Sequence, residues 1–438
     1  MATGIPSENA LNPIRIDARP LGHSRASDLI NIGDMIHNRQ LVTYFQPIVS
    51  IARKNICGFE GLIRGIDEEN NVVISPSTLF QAADYQGLQV ELDRACRETV
   101  IRTFATQCEK RDILLFLNIN SSILDRVVGS NHLANMVQYY GINPNTIVIE
   151  INESKVKDNQ LLKDFVDRYR SYGFLIALDD VGCGFSNLDR IPLIRPDIVK
   201  TDMSLVRNIC TDFYVQEVFR CLVNLSLKIG ALVVAEGTET EQEAIQTLEL
   251  GVNLLQGYCI SRPQKMNRQL YVSAEERIQV VADRFRCSER HTMAWSEKRF
   301  TKFSAIASEL MGRLAQKSEN DFDGELLKTV NSNNEMECAY ILNEMGIQSS
   351  STIFSSLISG IKNNLLFSPA KIGADHSLKT YYRYLSDAKN HQYLTEPYAS
   401  LASGNLCITY TDTFYDKQNN RFILCIDFKA GPNHQTAI

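Results

Sequence analysis

The sequence lacks the features of secreted, disulfide-bonded and membrane-spanning proteins. Its 438 residues include 11 cysteines but no CxxC pair and no regular cysteine spacing, which indicates reduced thiols and not a disulfide framework. No apolar run approaches the roughly 20 residues that a helix needs to span a bilayer. The N-terminal segment is polar and lacks the apolar middle of a signal peptide. We therefore expect a cytoplasmic protein without membrane insertion, whose residues 1–25 form a mobile segment.

Excess positive charge is also missing. The formal net charge is -6, and the 45 Lys and Arg residues are scattered along the chain. Because long nucleic acids bind through dense basic surfaces, we do not expect a DNA or RNA polymer as a partner. An acidic protein that handles a small phosphate ligand needs local positive charge, and a bound metal ion would supply it.

The chain is too long for a single hydrophobic core, so several domains are expected. Short apolar runs alternate with amphipathic helical segments from Leu41 to Pro263, within a domain expected over residues 26–272, which predicts parallel strands buried on both faces. Eight such strands predict an α/β fold of the β/α barrel type. The predicted strands cover residues 42–49, 56–63, 113–117, 147–151, 174–178, 198–199, 231–235 and 254–255.

The rest of the chain has a different pattern. Residues 273–318 show helical spacing only, which predicts a long linker helix, with a break near Cys287 left open. This helix is either a spacer or an element for coupling or dimerisation. Residues 319–438 contain strand patterns at 338–342, 406–414 and 421–428, the last two joined by a turn, and predict a second domain of mixed α+β type.

Polar residues end nearly every predicted barrel strand. The carboxyl ends of barrel strands open onto one face, where active sites lie, so these side chains should converge. Several carboxylates brought together without compensation are costly, and one or two divalent cations would remove that cost. Oxygen donors without histidine favour Mg²⁺ or Mn²⁺ over Zn²⁺. The converging residues are Glu60, Asn118, Glu150, Asp179, Asp180, Lys200, Glu236 and Gln256.

A simpler explanation exists for any one of these residues. A single Asp or Glu after a strand is usually a helix N-cap, and Asp179 or Asp180 alone would be interpreted in that way. The same preference at seven strand ends is not explained by capping.

Short motifs carry a family resemblance. Residues 60–64 (Glu-Gly-Leu-Ile-Arg) resemble the E-A-L-x-R signature of EAL-domain c-di-GMP phosphodiesterases, with Gly61 in the place of Ala. Residues 178–187 resemble the D-D-F-G-x-G-x-S stretch of that family, with Val181 in the place of Phe. Further matches in order and spacing lie at residues 46–48, 196–202, 235–239 and 256–258, so the resemblance covers about residues 40–265.

The resemblance implies an enzyme that hydrolyses c-di-GMP to linear pGpG on a modified TIM-like (β/α)8 barrel with an antiparallel first strand. It implies two Mg²⁺ or Mn²⁺ ions when the protein is active. The first ion is assigned to Glu60, Asn118, Glu150 and Asp179, and the second to Asp179 and Asp180. Asn120 is the alternative to Asn118 if the strand register slips by two residues.

The same resemblance implies roles for the remaining residues. Glu236 corresponds to the general base or a partner of the second metal, Lys200 and Gln256 hold water or phosphate, and Glu60 also counts as catalytic. Glu153 anchors the loop that begins at Asp180. The residues implied to bind the dinucleotide are Gln46, Leu62, Arg64, Asp202, Gln256 and Pro263.

Two alternatives to the enzyme stay open. The first is a catalytically weak or inactive c-di-GMP receptor that uses the same pocket, and the second is an unrelated barrel hydrolase. The C-terminal region, including residues 396–398 and 403–404, resembles a PAS/Cache-like sensor and implies an unknown small ligand, although residues 396–398 are equally well explained as a plain turn. A homodimer is expected, because the family's loop and the long helix both offer two-fold contacts.

Overall fold

The computed structural model describes residues 30–67, 72–108, 112–120, 130–152, 158–182, 188–356, 366–387 and 390–430. The segment 1–25, predicted to be mobile, lies outside these residues. The chain divides into two compact units, Met1–Ser288 and Glu289–Ile438. The domain limits at residues 272 and 318 stay predictions. Among the described residues, no helix combines the length and the apolar character needed to cross a membrane.

The first unit is built on a closed barrel. Its strands are β1 (Leu41–Ser50), β2 (Asn55–Asp67), β3 (Val72–Ile74), β4 (Leu114–Ile119), β5 (Ile147–Asn152), β6 (Leu175–Val181), β7 (Ile198–Thr201), β8 (Leu232–Ala235) and β9 (Leu254–Leu255). The barrel follows the order β1-β9-β8-β7-β6-β5-β4-β2 and closes through the pairing of β1 with β2, while β3 extends from β2. Strand β1 is antiparallel to both of its neighbours, and the other barrel neighbours are parallel. The predicted barrel with an antiparallel first strand is confirmed.

Helix α1 (Ile32–His37) precedes β1, and further helices lie between the parallel strands of this unit. They are α2 (Pro76–Gln86), α3 (Gln89–Gln107), α4 (His132–Tyr139), α5 (Asn159–Ser171), α6 (Arg190–Ile194), α7 (Met203–Arg207), α8 (Phe213–Lys228) and α9 (Glu241–Glu249). Several begin at a polar residue that accepts hydrogen bonds from free backbone N–H groups of the first turn. Asp158 begins α5 and Asp212 begins α8 in this way, and Thr240 and Glu243 form a reciprocal capping box at α9.

The close packing of α3 on β2 accounts for glycine in the family motif. A Cβ atom on Gly61 would lie 2.2 Å from Cγ1 of Val100, a residue of α3. Valine has a restricted χ1 angle in a helix, so Val100 cannot turn away easily. The smallest residue at position 61 therefore lets α3 approach the strand that carries Glu60.

Helix α10 (Arg268–Leu314) continues through Cys287 without a break. Its early residues Leu270, Ala274 and Ile278 belong to the core of the first unit. Its later residues Phe303 and Leu310 belong to the core of the second unit. The helical pattern predicted for residues 273–318 thus corresponds to one long helix.

The second unit is an antiparallel sheet with helices. Its further elements are α11 (Phe322–Ser332), β10 (Met336–Asn343), β11 (Ile353–Phe354), α12 (Thr380–Leu385), β12 (Gln392–Leu394), β13 (Tyr398–Ala399), β14 (Leu406–Tyr415) and β15 (Arg421–Lys429). The strand order is β11-β10-β15-β14-β12, and β13 also pairs with β14. The predicted α+β architecture is confirmed. The PAS/Cache-like character of this unit and its small ligand stay predictions.

Candidate active site

Two layers of side chains fill the inside of the barrel. One layer is apolar and takes a residue from each of seven strands. Because side chains alternate along a strand, the residue two positions further along points to the same side. In the parallel strands the residue two positions after the apolar one is polar. In β1, which runs in the opposite direction, the polar residue lies two positions before the apolar one. The apolar residues and their polar counterparts are Ile48 and Gln46, Phe116 and Asn118, Val148 and Glu150, Ala177 and Asp179, Ile198 and Lys200, Val234 and Glu236, and Leu254 and Gln256.

Glu60 joins the polar layer from β2. It pairs in register with Gln46 of β1. Two residues before it stands Gly58, where a Cβ atom would lie 2.7 Å from the Phe116 ring. The apolar layer therefore lies beneath the polar layer on seven barrel strands, and on β2 the Phe116 ring fills the space above Gly58.

Lys200 lies among four carboxylates and is 1% exposed. Its Nζ atom is 2.5 Å from Glu236 Oε1, 3.4 Å from Asp179 Oδ1 and 3.5 Å from Glu60 Oε2. It also forms an ion pair with Glu150. Burial alone would lower the pKa of Lys200, but the four negative charges outweigh burial and hold this pKa well above its ordinary value.

Side-chain amides bind Glu60 from both sides. Gln256 Nε2 donates to Glu60 Oε2 at 2.5 Å, and Asn118 Nδ2 donates to Glu60 Oε1 at 2.7 Å. Gln256 Nε2 also donates to Gln46 Oε1 at 3.2 Å, and Gln46 Nε2 donates to the Ser261 carbonyl at 3.1 Å. Burial would raise the pKa of Glu60, yet the Lys200 charge and these hydrogen bonds leave the pKa below its ordinary value.

Two other carboxylates have the opposite shift. Burial, together with the negative charges of Asp179 and Glu60, raises the pKa of Glu236 to about 8. The positive charge of Lys200 lowers this pKa only in part. Burial and the Glu60 charge raise the pKa of Glu150 well above its ordinary value. One ammonium therefore does not neutralise the whole group of carboxylates.

The carboxylates fit divalent cations. Oxygen atoms of Glu60, Glu150 and Glu236 lie within 4.8 Å of one another, and so do those of Asp179, Asp180 and Glu236. Glu150 Oε2 is buried and accepts no hydrogen bond from the described residues. Carboxylate oxygens without nitrogen or sulfur donors suit Mg²⁺, Mn²⁺ or Ca²⁺. The two groups share Glu236, so the arrangement fits a pair of neighbouring cations.

The remaining predicted residues lie around this group or outside the described residues. Leu62 and Arg64 follow Glu60 on the same face of β2 and are partly buried, and Arg64 Nη1 donates to the Ile63 carbonyl at 2.7 Å. Asp202 caps α7 by accepting from the Ser204 N–H at 2.8 Å. Pro263 is partly buried and lies two residues after the carbonyl that binds Gln46. Glu153 lies outside the described residues.

The two asparagines offered for the first cation make different contacts, and the choice of Asn118 stays a prediction. Asn118 contacts Glu60, whereas the backbone N–H of Asn120 donates to the Asp93 carboxylate at 3.1 Å. Asn152 was not among the predicted site residues, although its side chain donates to Asp180 Oδ2. A sequence signal existed, because Asn152 follows Glu150 by two residues and so lies on the same face of β5.

Comparison of the sequence with known proteins identifies one family for the barrel unit. The EAL domain model matches residues 31–263. The chain is 27% identical over 228 residues to the probable cyclic di-GMP phosphodiesterase PdeA of Escherichia coli, a match that covers 52% of this chain and 31% of PdeA. The chain spans less than half of the length of PdeA and of PdeB from the same organism.

Two solved structures extend the comparison. The Bacillus subtilis YkuI protein, crystallised with c-di-GMP and calcium, has a TM-score of 0.77 at 21% identity and covers 92% of this chain and 100% of its own. At that identity the likeness concerns the fold. The EAL enzyme Bd1971, with cAMP and cyclic di-GMP bound, has a TM-score of 0.51 at 25% identity and covers 55% of this chain and 67% of its own.

The central position of Lys200 leads to a prediction for cation-free and cation-bound protein. Lys200→Met keeps a long side chain but leaves the facing carboxylates uncompensated, so in EDTA it should lower the free energy of unfolding by about 3 kcal/mol. Mn²⁺ should stabilise this variant more than the wild type, because the ion replaces the missing charge. Urea unfolding with EDTA or Mn²⁺ measures both effects.

Lys163→Met is the matched control, since Lys163 forms an exposed ion pair with Asp167. It should cost less than about 1 kcal/mol in either condition. Equal stabilisation of Lys200→Met and wild type by Mn²⁺ would show that the ammonium and the cation do not compensate the same carboxylates.

Proposed function

This chain belongs to the EAL domain family, and we propose that its barrel hydrolyses c-di-GMP to linear pGpG with two divalent cations, Mg²⁺ or Mn²⁺. The observation that carries the proposal is the pair of carboxylate groups that share Glu236 around the buried Lys200. The names of the E. coli relatives and the c-di-GMP bound to Bd1971 support the choice of substrate.

The proposed reaction is the hydrolysis of one phosphodiester bond. The oxygen of a water molecule forms a bond to phosphorus, the bond from phosphorus to the 3′ oxygen breaks, and the 3′ oxygen takes up a proton. When bound, the two cations would supply positive charge to the phosphate oxygens and make water easier to deprotonate. The residues of the chain must bind the dinucleotide, orient the water and hold its proton.

We assign the proton to Glu236. Without cations, burial and the neighbouring carboxylates raise its pKa to about 8, so its carboxylate is a stronger base than that of an ordinary glutamate. Lys200 Nζ lies 2.5 Å from Glu236 Oε1, so it can orient a water molecule beside the base and add positive charge to the phosphate. Glu60, with both oxygens bound by amides, is held for the first cation together with Asn118, Glu150 and Asp179.

The dinucleotide contacts follow the resemblance. The Arg64 guanidinium suits a phosphate through paired hydrogen bonds, and it extends from the same face of β2 as Glu60. Gln46 and Gln256 line the polar layer and are hydrogen-bonded to each other. Leu62, Asp202 and Pro263 complete the proposed binding residues, and Glu153 is proposed to anchor the loop that follows Asp180.

The turnover test separates the enzyme from the receptor. c-di-GMP incubated with Mg²⁺ or Mn²⁺ should give pGpG by chromatography, and EDTA should stop the reaction until metal is restored. Glu60→Ala and Glu236→Ala should each lower the rate more than tenfold, because each removes a carboxylate from the groups that hold the cations. Glu217→Ala is the control, since Glu217 is exposed and forms a surface ion pair with Arg220.

Other results of this assay would point to the receptor alternative or contradict the assigned roles. Binding of c-di-GMP without pGpG would favour the receptor alternative, in which the same pocket holds the nucleotide. Full activity in EDTA, or more than a tenth of the wild-type rate in either carboxylate variant, would contradict the assigned roles. The absence of both binding and turnover would exclude c-di-GMP as the ligand.

We also propose a homodimer, in which a second copy covers an apolar stripe on α8. Tyr214 is 81% exposed, Val218 is 51% exposed and Ile229 is 47% exposed. These residues lie with Cys221 and Leu225 at spacings of four, three, four and four, so they occupy one side of the helix. The exposed Leu188, which precedes α6, lines a groove with Leu225 and Ile229 and extends the apolar surface.

Val218→Glu places a charge in this stripe and should convert the dimer into a monomer in light scattering after size exclusion. Val72→Glu is the matched control, because Val72 is 50% exposed and lies on β3, which pairs with β2 and not with the strands that α8 connects. A monomeric wild type, or a Val218→Glu variant that remains dimeric, would contradict this interface.

A further inference from the structure

The two neighbouring aspartates of β6 share one side of the strand, which regular strand geometry forbids. In the pairing of β6 with β7, Leu178 pairs with Val199 and Val181 pairs with Thr201. Two residues, Asp179 and Asp180, therefore face the single residue Lys200. This is a β-bulge, and a bulge redirects a side chain that would otherwise point to the opposite face.

The backbone of Asp180 shows how the bulge is made. Its φ is 58°, in the left-handed region. That region is unfavourable for an ordinary L-residue, although Asp tolerates it better than most. The turned backbone brings an Asp180 oxygen within 4.8 Å of oxygens from Asp179 and Glu236. The conformation is unfavourable by itself, and it also places like charges side by side.

Asn152 binds the redirected side chain. Its Nδ2 atom donates to Asp180 Oδ2. Asn152 ends β5 and pairs in register with Asp179, so it lies beside the bulge on the neighbouring strand. Through this hydrogen bond Asn152 is connected to the group of Asp179, Asp180 and Glu236.

We propose that Asn152 is a positioning residue that holds Asp180 in the left-handed bulge and thereby completes the second cation group. A neutral amide suits this role, because it orients a carboxylate without adding a charge that would compete with a cation. Lysine at this position would bring such a charge, and aspartate would repel Asp180. The inference rests on the proposed function only in that the second group takes a cation.

Counting bound Mn²⁺ tests the proposal without any turnover. The free-ion EPR signal during Mn²⁺ titration gives the number of ions bound per chain and their dissociation constants. The wild type should bind two ions. In Asn152→Ala the first ion should bind within twofold of wild type, while the dissociation constant of the second should rise at least tenfold, as when a group that orients a metal ligand is removed.

Two further variants make the test specific. In an Asp180→Gly background, Asn152→Ala should change neither dissociation constant further, because the carboxylate that it positions is gone. Asn135→Ala is the matched control, since Asn135 is an exposed residue of α4. It should bind two Mn²⁺ ions as the wild type does.

Each other outcome overturns the inference in a recognisable way. Two ions with unchanged constants in Asn152→Ala would overturn the positioning role and leave the proposed function intact. Loss of both ions in that variant would also overturn it, because a role limited to Asp180 leaves the group of Glu60, Glu150 and Glu236 complete. Fewer than two ions in the wild type would overturn the two-cation function itself, and the inference with it.

Discussion

The interaction between one buried ammonium and four carboxylates determines the chemistry of this barrel. Lys200 is enclosed with Glu60, Glu150, Asp179 and Glu236 at the same level of the barrel interior. Buried carboxylates stay charged only where positive charge is near, and one ammonium is too little for four of them. The raised pKa values of Glu150 and Glu236 express that deficit. A site with this imbalance favours the addition of cations.

The geometry that produces this imbalance is simple. An apolar layer occupies one level of the interior, and the two-residue period of each strand places a polar side chain at the next level. Amides then divide the carboxylates into different environments. Glu60 accepts hydrogen bonds at both oxygens and keeps a low pKa, whereas Glu236 keeps a high one. Neighbouring carboxylates with pKa values pushed apart can serve as a ligand and as a proton acceptor.

Much of this arrangement could be predicted from the sequence. The barrel strands are continuous apolar runs, and polar residues at their ends identify the site, because both signals depend on local pattern alone. Asn118 was preferred to Asn120 on the predicted strand register, but the two-residue period alone cannot distinguish two residues that are two positions apart. The bulge at Asp180 was also not predictable, because a positive φ at an aspartate has no sequence signature. Strands β11 and β13 have two residues each, too few to show any period.

Locating Mn²⁺ by anomalous scattering in crystals of the wild-type chain tests this arrangement most directly. Two peaks are expected inside the barrel. One should lie among the oxygens of Glu60, Asn118, Glu150 and Asp179, and the other beside Asp179 and Asp180, about 3.5–4 Å from the first. Peaks at the protein surface only, or no ordered Mn²⁺ beside Lys200, would contradict the claim that these carboxylates gather to hold cations.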